Sequence, residues 1–402
     1  MNDGREFPRL RTVSPRYTTH LGRQVVMIED PLQIAQRTVV IAPEIAPVLL
    51  LCDGTTPAAA LAARAHERFG IEIGTPAIEK LLRLLDDALL LESPAYDTAH
   101  AAARAAYHAA PHRPMTFAGQ AYPADATTCA ALLDGYLDAA GDVRQHAGQV
   151  LLSPHIDYPR GSAIYAQLYK RAHDLLRDAE LVILLGTDHH GGELFTLTRQ
   201  QYATPLGVLP NDDDARDALA TAIGAEAAYA GELLHTGEHS LELVALWLQH
   251  IRGSAVPVVP LLCGSFARYM IDGTAPLDNP GVAATVRVLR ELLSAKRTVI
   301  VASGDLSHVG PAFGGTAQRE QEKLALRASD YTVMRALERA DADAMYQAIV
   351  TTGDSTNICG TAPFFLALSA LAGNHGHRVG YAQCPADNRN TSVVSITGVI
   401  AR

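Results

Sequence analysis

The chain has 402 residues, of which 48 % are hydrophobic and 19 % charged, as in globular proteins long enough for two or three domains. Its net charge of −10 comes without any strong cluster of Lys and Arg, which argues against nucleic-acid binding. No apolar stretch approaches the ~20 residues that a membrane span needs, and the N-terminus lacks the apolar segment of a signal peptide. The five cysteines are an odd number without a CxxC pair, which favours reduced thiols. We therefore expect a soluble, cytoplasmic protein.

Residues 1–95 are predicted to form a small separate domain. Two short strands come first, and helices then begin at Thr56-Pro57 and Thr75-Pro76. In both helices threonine is the expected N-cap, and proline takes the first helical position. The apolar face of the second helix is expected to consist of Ile78, Leu81, Leu82 and Leu85.

The string LLLCDGTTPAAALAARAHERFG in this domain, followed by IEKLLRLLDDALLL, resembles the small PqqD-like winged-helix domains. That resemblance implies the binding of a leader peptide for a radical-SAM enzyme, and hence radical-SAM system proteins as partners. The alternative is a small domain that serves packing or dimerisation, because the resemblance is carried mainly by apolar spacing.

Residues 96–115 are Ala-rich, end in PHRP and are predicted to be a connecting helix and linker. Over residues 116–402, short apolar runs alternate with amphipathic helical stretches. This alternation predicts an α/β domain, a three-layer sandwich with a largely parallel central sheet. The predicted fold class is thus α/β, with a small winged-helix-like domain in front.

A pair of histidines follows the clearest predicted strand, Leu181 to Leu185. An unbroken apolar run of this length is typical of a strand that is buried on both faces of a parallel sheet. It leads through Gly186 to His189 and His190. Ligands of open α/β sheets bind beyond the carboxyl ends of the strands. This loop is therefore a candidate for metal or proton chemistry, with a structural role favoured for His190.

Two other predicted strands end in the same way. The strand at 149–153 leads to His155, and the strand at 298–302 leads to Asp305 and His308. The strings EHS and NICG add His239 and Cys359. Imidazole and thiolate are common ligands of zinc, copper and iron, so the repetition favours one shared metal site. Packing remains an alternative role for Cys359, and a bond to a backbone carbonyl remains one for His308.

These strings resemble the Memo family, also called protein B of the AmmeMemoRadiSam system. In chain order they are AGQAYP, PH at 154–155, GTDHH, YATPLG, EHSLE, SGDLSH and NICG. The resemblance extends from about residue 116 to the C-terminus. The string PHIDYPRG departs from the usual PHAGY, and we expect it to bring Asp157 and Arg160 to the mouth of the pocket.

The Memo fold is similar to that of LigB-type, class III extradiol dioxygenases, in which two histidines and a carboxylate hold non-haem Fe(II). By motif position, the resemblance implies His155, His189 and Cys359 as metal ligands, with the thiolate in place of the carboxylate. His239, Asp305 and His308 would then be the catalytic residues, which either support the metal ligands or act as acid and base groups. Imidazole titrates near neutral pH, which suits a histidine to proton transfer. A thiolate is softer than the carboxylate it replaces, so it shifts the metal preference toward copper or zinc, or changes the properties of iron. The expected cofactor is iron or copper, with zinc as an alternative.

The string HTGEH at 235–239 literally fits the H-x-x-E-H zinc-protease pattern. That pattern requires one helix that carries both histidines on one face. Gly237 interrupts the string and Ser240 resembles the N-cap of the next helix, so we predict a loop here.

The sequence favours a Memo-family metalloprotein that acts as a metal-dependent redox enzyme on a small-molecule or peptide substrate, with radical-SAM system partners. A non-catalytic metal-binding or scaffold protein is the alternative, and metal-assisted hydrolysis is a third. His239, Asp305 and His308 discriminate between these functions, because a pure binder has no need of proton-transfer groups. The sequence leaves open the substrate, the metal, the oligomeric state and catalysis itself.

Overall fold

A computed structural model describes residues 6–13, 15–20, 22–35 and 37–402 of the chain. Two compact units are present, Met1–Ala110 with His190–Gly192, and Pro111–His189 with Glu193–Arg402. Each unit has a hydrophobic core of its own.

The N-terminal unit starts with a three-stranded antiparallel sheet and continues into helices. Its strands, in their order across the sheet, are β1 (Arg16–His20), β2 (Arg23–Ile28) and β3 (Val39–Ile41). Its helices are α1 (Leu61–Phe69), α2 (Thr75–Asp87) and α3 (Pro94–Ala109), with 3₁₀ turns at Pro43–Leu51 and Ala58–Ala60. The apolar face predicted for α2 is buried in the core of this unit, together with Val26 and Ile28 of β2.

The larger unit contains ten strands and twelve helices in the part of the chain that the structure describes. The strands are β4 (Val150–Ser153), β5 (Leu181–Thr187), β6 (Phe195–Leu197), β7 (Tyr202–Thr204), β8 (Gly207–Leu209), β9 (Val258–Cys263), β10 (Thr298–Ser303), β11 (His308–Val309), β12 (Gly376–Pro385) and β13 (Val393–Ala401). The helices are α4 (Ala126–Ala139), α5 (Tyr158–Arg171), α6 (His173–Arg177), α7 (Asp213–Ile223), α8 (Ala227–Ala230), α9 (Leu234–Gly237), α10 (His239–Arg252), α11 (Ala267–Asp272), α12 (Pro280–Ala295), α13 (Glu320–Glu338), α14 (Ala342–Thr351) and α15 (Thr361–Ala370).

Eight of these strands form one mixed sheet, in the order β11-β13-β4-β10-β5-β9-β6, with β12 paired to β13. The four central strands β4, β10, β5 and β9 are parallel. The flanking strands β13 and β6 run antiparallel to their central neighbours. The predicted α/β class with a largely parallel central sheet is confirmed, and so is the small additional unit at the N-terminus.

The register of the central strands determines where the functional loops begin. Every residue of β4, β5 and β10 is buried, as expected for strands covered on both faces of a sheet. Ser303 at the end of β10 pairs with Ser153 at the end of β4 and with Gly186 near the end of β5. The three strands therefore end at nearly the same level, and the loops that follow them start side by side.

α15 is a buried core helix. Nine of its ten residues are buried, and a run of this length is typical of a core helix and too short to span a bilayer. In the described part of the chain, no helix combines the length and the apolar character that crossing a membrane requires.

A fully buried ion pair between Arg113 and Glu242 attaches the segment before α4 to α10. The Arg113 guanidinium also donates to the backbone carbonyls of His235 and Glu238, in the second case at 2.9 Å. Glu242 accepts a further hydrogen bond from the hydroxyl of Tyr122. These bonds offset the cost of burying two charges, and they hold the turn that leads into α10.

We expect Arg113→Ala to lower the free energy of unfolding by about 3–5 kcal/mol, because it leaves the Glu242 carboxylate buried without its cation. Urea unfolding followed by circular dichroism measures this loss. Arg319→Ala is the control: Arg319 pairs with Glu322 on the surface, so its removal should hardly move the urea midpoint. Equal effects of the two substitutions would contradict a special role for the buried pair.

Candidate metal centre

Five elements of the larger unit deliver polar groups to the carboxyl edge of the central strands. His155 follows β4, His189 follows β5 and Asp305 follows β10. His239 is the first residue of α10, and Cys359 lies two residues before α15. The common level of the strand ends explains why loops that are distant in sequence meet here.

Three imidazoles form the centre of this group. The ring centroids of His155 and His189 are 5.0 Å apart, and those of His155 and His239 are 5.1 Å apart. One potential ligand atom from each of the three residues lies within 4.8 Å of the others. The His155 side chain is 2 % exposed, whereas those of His189 and His239 are 28 % and 34 % exposed. The cluster is therefore anchored in the core at one ring and reaches solvent at the other two.

Glu238 orients two of these rings, although it is not among the site residues predicted from the sequence. Its buried carboxylate lies 3.0 Å from Nδ1 of His189 and 3.2 Å from Nδ1 of His239. It also accepts from the backbone N–H groups of His189, at 3.0 Å, and Ser240, at 2.9 Å. With Nδ1 held by the carboxylate, each ring points its Nε2 away from Glu238. In the sequence, Glu238 stands beside His239 in EHS and is also the glutamate of the HTGEH string.

His155 is oriented by a different group, the hydroxyl of Ser303. That hydroxyl donates its proton to the Ser240 carbonyl at 2.6 Å, so its oxygen accepts from Nδ1–H of His155 at 3.3 Å. The hydrogen-bond network thereby assigns the lone pair of His155 to Nε2. This Nε2 atom lies 3.2 Å from Sγ of Cys359.

Cys359 is the cysteine that belongs to this cluster. Besides its contact with His155, its Sγ accepts the Asp305 backbone N–H at 3.2 Å and is hydrogen-bonded to the His189 side chain. Burial raises the pKa of the Cys359 thiol, and the bond to His189 opposes that rise. The remaining four cysteines are buried elsewhere in the structure, as expected for packing residues.

Asp305 acts on the His155 loop through the backbone. Its Oδ1 accepts the N–H groups of His155 at 2.9 Å and of Ile156 at 3.4 Å, and its Oδ2 lies 3.9 Å from Nε2 of His155. Burial raises the pKa of the Asp305 carboxyl.

His308 is held by two carbonyls. Its Nδ1 lies 3.1 Å from the backbone oxygens of Leu306 and Asn357, so this nitrogen carries the proton and Nε2 carries the lone pair. The bond to a backbone carbonyl that the sequence left as an alternative is therefore present. It is also the arrangement that prepares Nε2 to accept a proton.

Two glycines allow the SGDLSH and NICG loops to touch. A Cβ atom on Gly304 would lie 2.3 Å from Cα of Gly360, and the Gly360 N–H donates to the Asp305 carbonyl at 3.0 Å. Asn357 in the second loop has a positive φ of 53°, a conformation that is uncommon outside glycine and concentrates at functional sites. This close approach brings Cys359 to the histidines.

The pKa values of two imidazoles in the cluster change in opposite directions. Burial lowers the pKa of His155 well below its usual value, and the neighbouring His189 and His239 lower it further. Burial also acts to lower the pKa of His189, but the Glu238 carboxylate outweighs it and raises that pKa well above the usual value. Conversely, burial acts to raise the pKa of Glu238, and His189 lowers it well below the usual range. Without a metal, the cluster thus contains a neutral His155 beside a His189–Glu238 ion pair.

All six predicted site residues lie in or beside this cluster. Convergent imidazole nitrogens next to a thiol fit a transition metal, since zinc, copper and iron favour such ligands. Asp157 and Arg160 belong to the string PHIDYPRG, which differs from the usual PHAGY. The Arg160 guanidinium donates to the Asp157 carboxylate at 2.6 Å and to the Pro385 carbonyl at 3.0 Å.

His235 of the HTGEH string has a structural role. It lies in the one-turn helix α9, accepts from the Tyr202 hydroxyl through Nδ1 at 2.7 Å, and bonds to the Thr196 carbonyl through Nε2 at 3.0 Å. Glu238 is extended and caps α10, so His235 and His239 do not share a helix. The string is therefore no zinc-protease motif here, although its first histidine lies in a helical turn and not in the predicted loop.

The sequence model of the family described as Memo-like protein matches residues 113–400. A MEMO1 family protein of Methanosarcina acetivorans is 27 % identical over 274 residues, which are 67 % of this chain and 91 % of that protein. The MEMO1 family protein of Aquifex aeolicus is 25 % identical over 72 % of this chain and 73 % of its own length. The MEMO1 family protein of Archaeoglobus fulgidus is 26 % identical over 71 % of this chain and 97 % of its own length. The whole histidine and cysteine cluster lies inside the matched region.

We expect Glu238→Gln to weaken the binding of a divalent transition metal by about 10- to 100-fold. The amide keeps one acceptor oxygen but presents an N–H group to the second imidazole, so His189 and His239 lose their common orientation. Isothermal titration of the full chain with zinc measures the affinity. Glu232→Gln is the matched control, because Glu232 is also buried but bonds to Thr198 and Arg199. Equal zinc affinities of the two variants would show that Glu238 has no role in metal binding.

Metal binding should strengthen as the pH rises above the usual histidine range. The raised pKa of His189 means that a proton must leave this ring before its nitrogen can bind a metal ion. Zinc titrations in buffers of different ionisation enthalpy count the released protons. A metal affinity that is independent of pH above the ordinary histidine pKa of ~6.5 would contradict the His189–Glu238 ion pair.

Proposed function

This chain belongs to the Memo family, and we propose that its histidine and cysteine cluster holds a redox-active metal ion for the oxidation of a small organic molecule by dioxygen. The observation that supports the proposal is the joint orientation of the imidazoles. Ser303 holds Nδ1 of His155, and Glu238 holds Nδ1 of both His189 and His239. Positioning of this kind on the far side of a ring is typical of histidines that bind metals.

We propose His155, His189 and Cys359 as the ligands. The Cys359 Sγ is 3.2 Å from Nε2 of His155 and hydrogen-bonded to His189, so the three donors are already neighbours. His239 is the further donor within reach of the same position. Zinc, copper and iron all accept thiolate and imidazole ligands, and the proposed redox reaction favours iron or copper among them, with zinc as an alternative.

An ion at this position would supply redox chemistry and coordination positions for a substrate hydroxyl. We propose His308 as the group that takes the proton from that hydroxyl. Burial lowers the pKa of His308, so its ring is neutral near neutral pH, and the two carbonyls at Nδ1 assign the accepting lone pair to Nε2. Asp305 lies near enough to oppose this fall in pKa and would stabilise the imidazolium once it forms.

A metal-binding protein without turnover is the second candidate. The observation that favours it is the thiolate donor, which replaces the carboxylate of the extradiol dioxygenases and would bind a metal tightly. The two candidates differ in what they require of His308, because storage of a metal needs no base.

We expect the substitutions to fall into two classes. His155→Ala and His189→Ala should abolish metal binding, and Cys359→Ser should lower it, because each removes a ligand. His308→Gln and His239→Gln should retain the metal and lower catechol-dependent oxygen uptake by about 10²- to 10⁴-fold. Metal analysis after anaerobic purification, followed by oxygen uptake with a panel of catechols, measures both properties.

Cys263→Ser is the control for the thiol, since Cys263 is buried in β9 and its substitution should leave the metal content unchanged. Metal loss in His239→Gln would make His239 a ligand. Metal loss in all the histidine variants would contradict the division into ligands and proton-transfer groups. Full metal content without oxidation of any catechol would favour the non-catalytic candidate.

We propose that the N-terminal unit recruits a peptide or a radical-SAM protein. β1 lies at one edge of its three-stranded sheet, and Tyr17 on that strand is 70 % exposed. An open edge strand can pair with an extended peptide through backbone hydrogen bonds.

Co-purification with a radical-SAM protein encoded beside this chain tests the recruitment. The tagged full-length chain should retain that protein, and a chain that begins at Pro111 should not. Retention by both chains would place the contact outside the N-terminal unit, and retention by neither would favour a packing or dimerisation role.

A further inference from the structure

A buried carboxylate on α13 lies behind the SGDLSH loop. Asp330 is 1 % exposed, and it accepts hydrogen bonds from the hydroxyls of Ser307 at 2.6 Å and Tyr381 at 2.7 Å. The Ser395 side chain is a third hydrogen-bond partner. Burying a carboxylate costs free energy unless its oxygens are hydrogen-bonded. The three hydroxyls therefore offset the cost of burying Asp330.

Ser307 connects this carboxylate to the metal centre, because it lies between Asp305 and His308 in the same loop. Every polar atom of Ser307 is engaged. Its N–H donates to the Ser395 hydroxyl at 3.0 Å, its carbonyl accepts the Ser395 N–H at 2.9 Å, and its hydroxyl donates to Asp330. The loop is thereby joined to α13 as well as to β13.

We propose that Asp330 is a positioning residue for His308, acting through Ser307. The inference rests on the proposed function only in that it treats His308 as the proton-accepting group. Without the Asp330 bond, the backbone pairing with Ser395 would remain, but the Ser307 side chain would lose its acceptor. His308 is the next residue in the chain. A rotation of the Ser307 backbone would therefore tilt the His308 ring away from the two carbonyls that hold its Nδ1.

The geometry explains why a carboxylate, and not an apolar side chain, occupies this position. An apolar residue would fill the volume, but it would leave the Ser307 and Tyr381 hydroxyls buried without this acceptor. Burial raises the pKa of Asp330, and the three hydroxyl contacts oppose the rise, as expected for a carboxylate that accepts from its neighbours.

The test uses the full chain loaded with zinc and labelled with ¹³C in its histidine rings. The His308 signal is identified by its absence from the His308→Gln spectrum. In Asp330→Asn and in Ser307→Ala, the His308 ring signal and its midpoint in a pH titration should shift, while the signals of His155 and His189 and the zinc affinity stay unchanged. Ser307→Ala is included because Asp330→Asn places an amide N–H among three hydroxyls and could prevent folding.

Asp86→Asn is the matched control, since Asp86 is a buried acceptor of the Ser93 hydroxyl at 2.7 Å in the N-terminal unit. It should leave the His308 signal unchanged. The double variant Asp330→Asn/Ser307→Ala should shift the His308 signal no further than Ser307→Ala alone, because Ser307→Ala already removes the hydrogen bond through which Asp330 acts.

A lower melting temperature with an unmoved His308 signal would overturn the proposal, since Asp330 would then serve stability alone. Joint loss of zinc affinity and of all the cluster signals would overturn it as well. The readout needs no turnover, so the absence of catechol oxidation in the parent chain would contradict the redox function without affecting this result. If oxidation is present, Asp330→Asn should lower kcat by about 10-fold with KM unchanged.

Discussion

A carboxylate that is buried in a protein interior must have its oxygens satisfied by hydrogen bonds, because desolvation otherwise outweighs any gain. The larger unit meets this requirement at Glu238, Asp305 and Glu242, and in each case the partners belong to a different element of the fold. Glu238 joins the start of α10 to the loop after β5. Asp305 joins the loop after β10 to that after β4. Glu242 joins α10 to Arg113. The histidine cluster exists where these bonds hold separate loops in one arrangement.

The same bonds determine the chemistry that the cluster can perform. A histidine whose Nδ1 is held by a carboxylate or a hydroxyl offers Nε2 in a fixed direction, which reduces the entropy lost when it binds an ion or accepts a proton. The pKa changes of His155 and His189 have opposite signs although their rings are 5.0 Å apart. Glu238 accounts for the difference, because its carboxylate contacts Nδ1 of His189, whereas the neutral hydroxyl of Ser303 contacts that of His155.

Close backbone packing completes the site. Gly304 and Gly360 allow two loops to approach to a distance that any Cβ would prevent, and Asn357 adopts a left-handed conformation in the second loop. The sequence strings SGDLSH and NICG therefore contain two kinds of residue: those that reach the cluster, and the glycines that let the two strings meet. Asp330 extends this support outward to α13, at a distance in sequence from either string.

The amino-acid sequence alone predicted the family, the α/β class and the strands that lead to the functional loops. These depend on local information: apolar runs such as Leu181 to Leu185, and short strings that carry their own functional residues. It also identified His155, His189, His239, Asp305, His308 and Cys359, all of which lie in or beside one cluster.

The contacts among the functional groups, in contrast, follow from the tertiary fold. The sheet order β4-β10-β5-β9 differs from the chain order, so no local pattern shows that Ser303 pairs with both Ser153 and Gly186. The roles of Glu238 and Asp330 depend on contacts between residues far apart in the chain, 49 positions for His189 and Glu238 and 23 for Ser307 and Asp330. A side chain that works by hydrogen-bonding another leaves no periodicity or spacing in the sequence, because its partner is selected by the packing of the sheet.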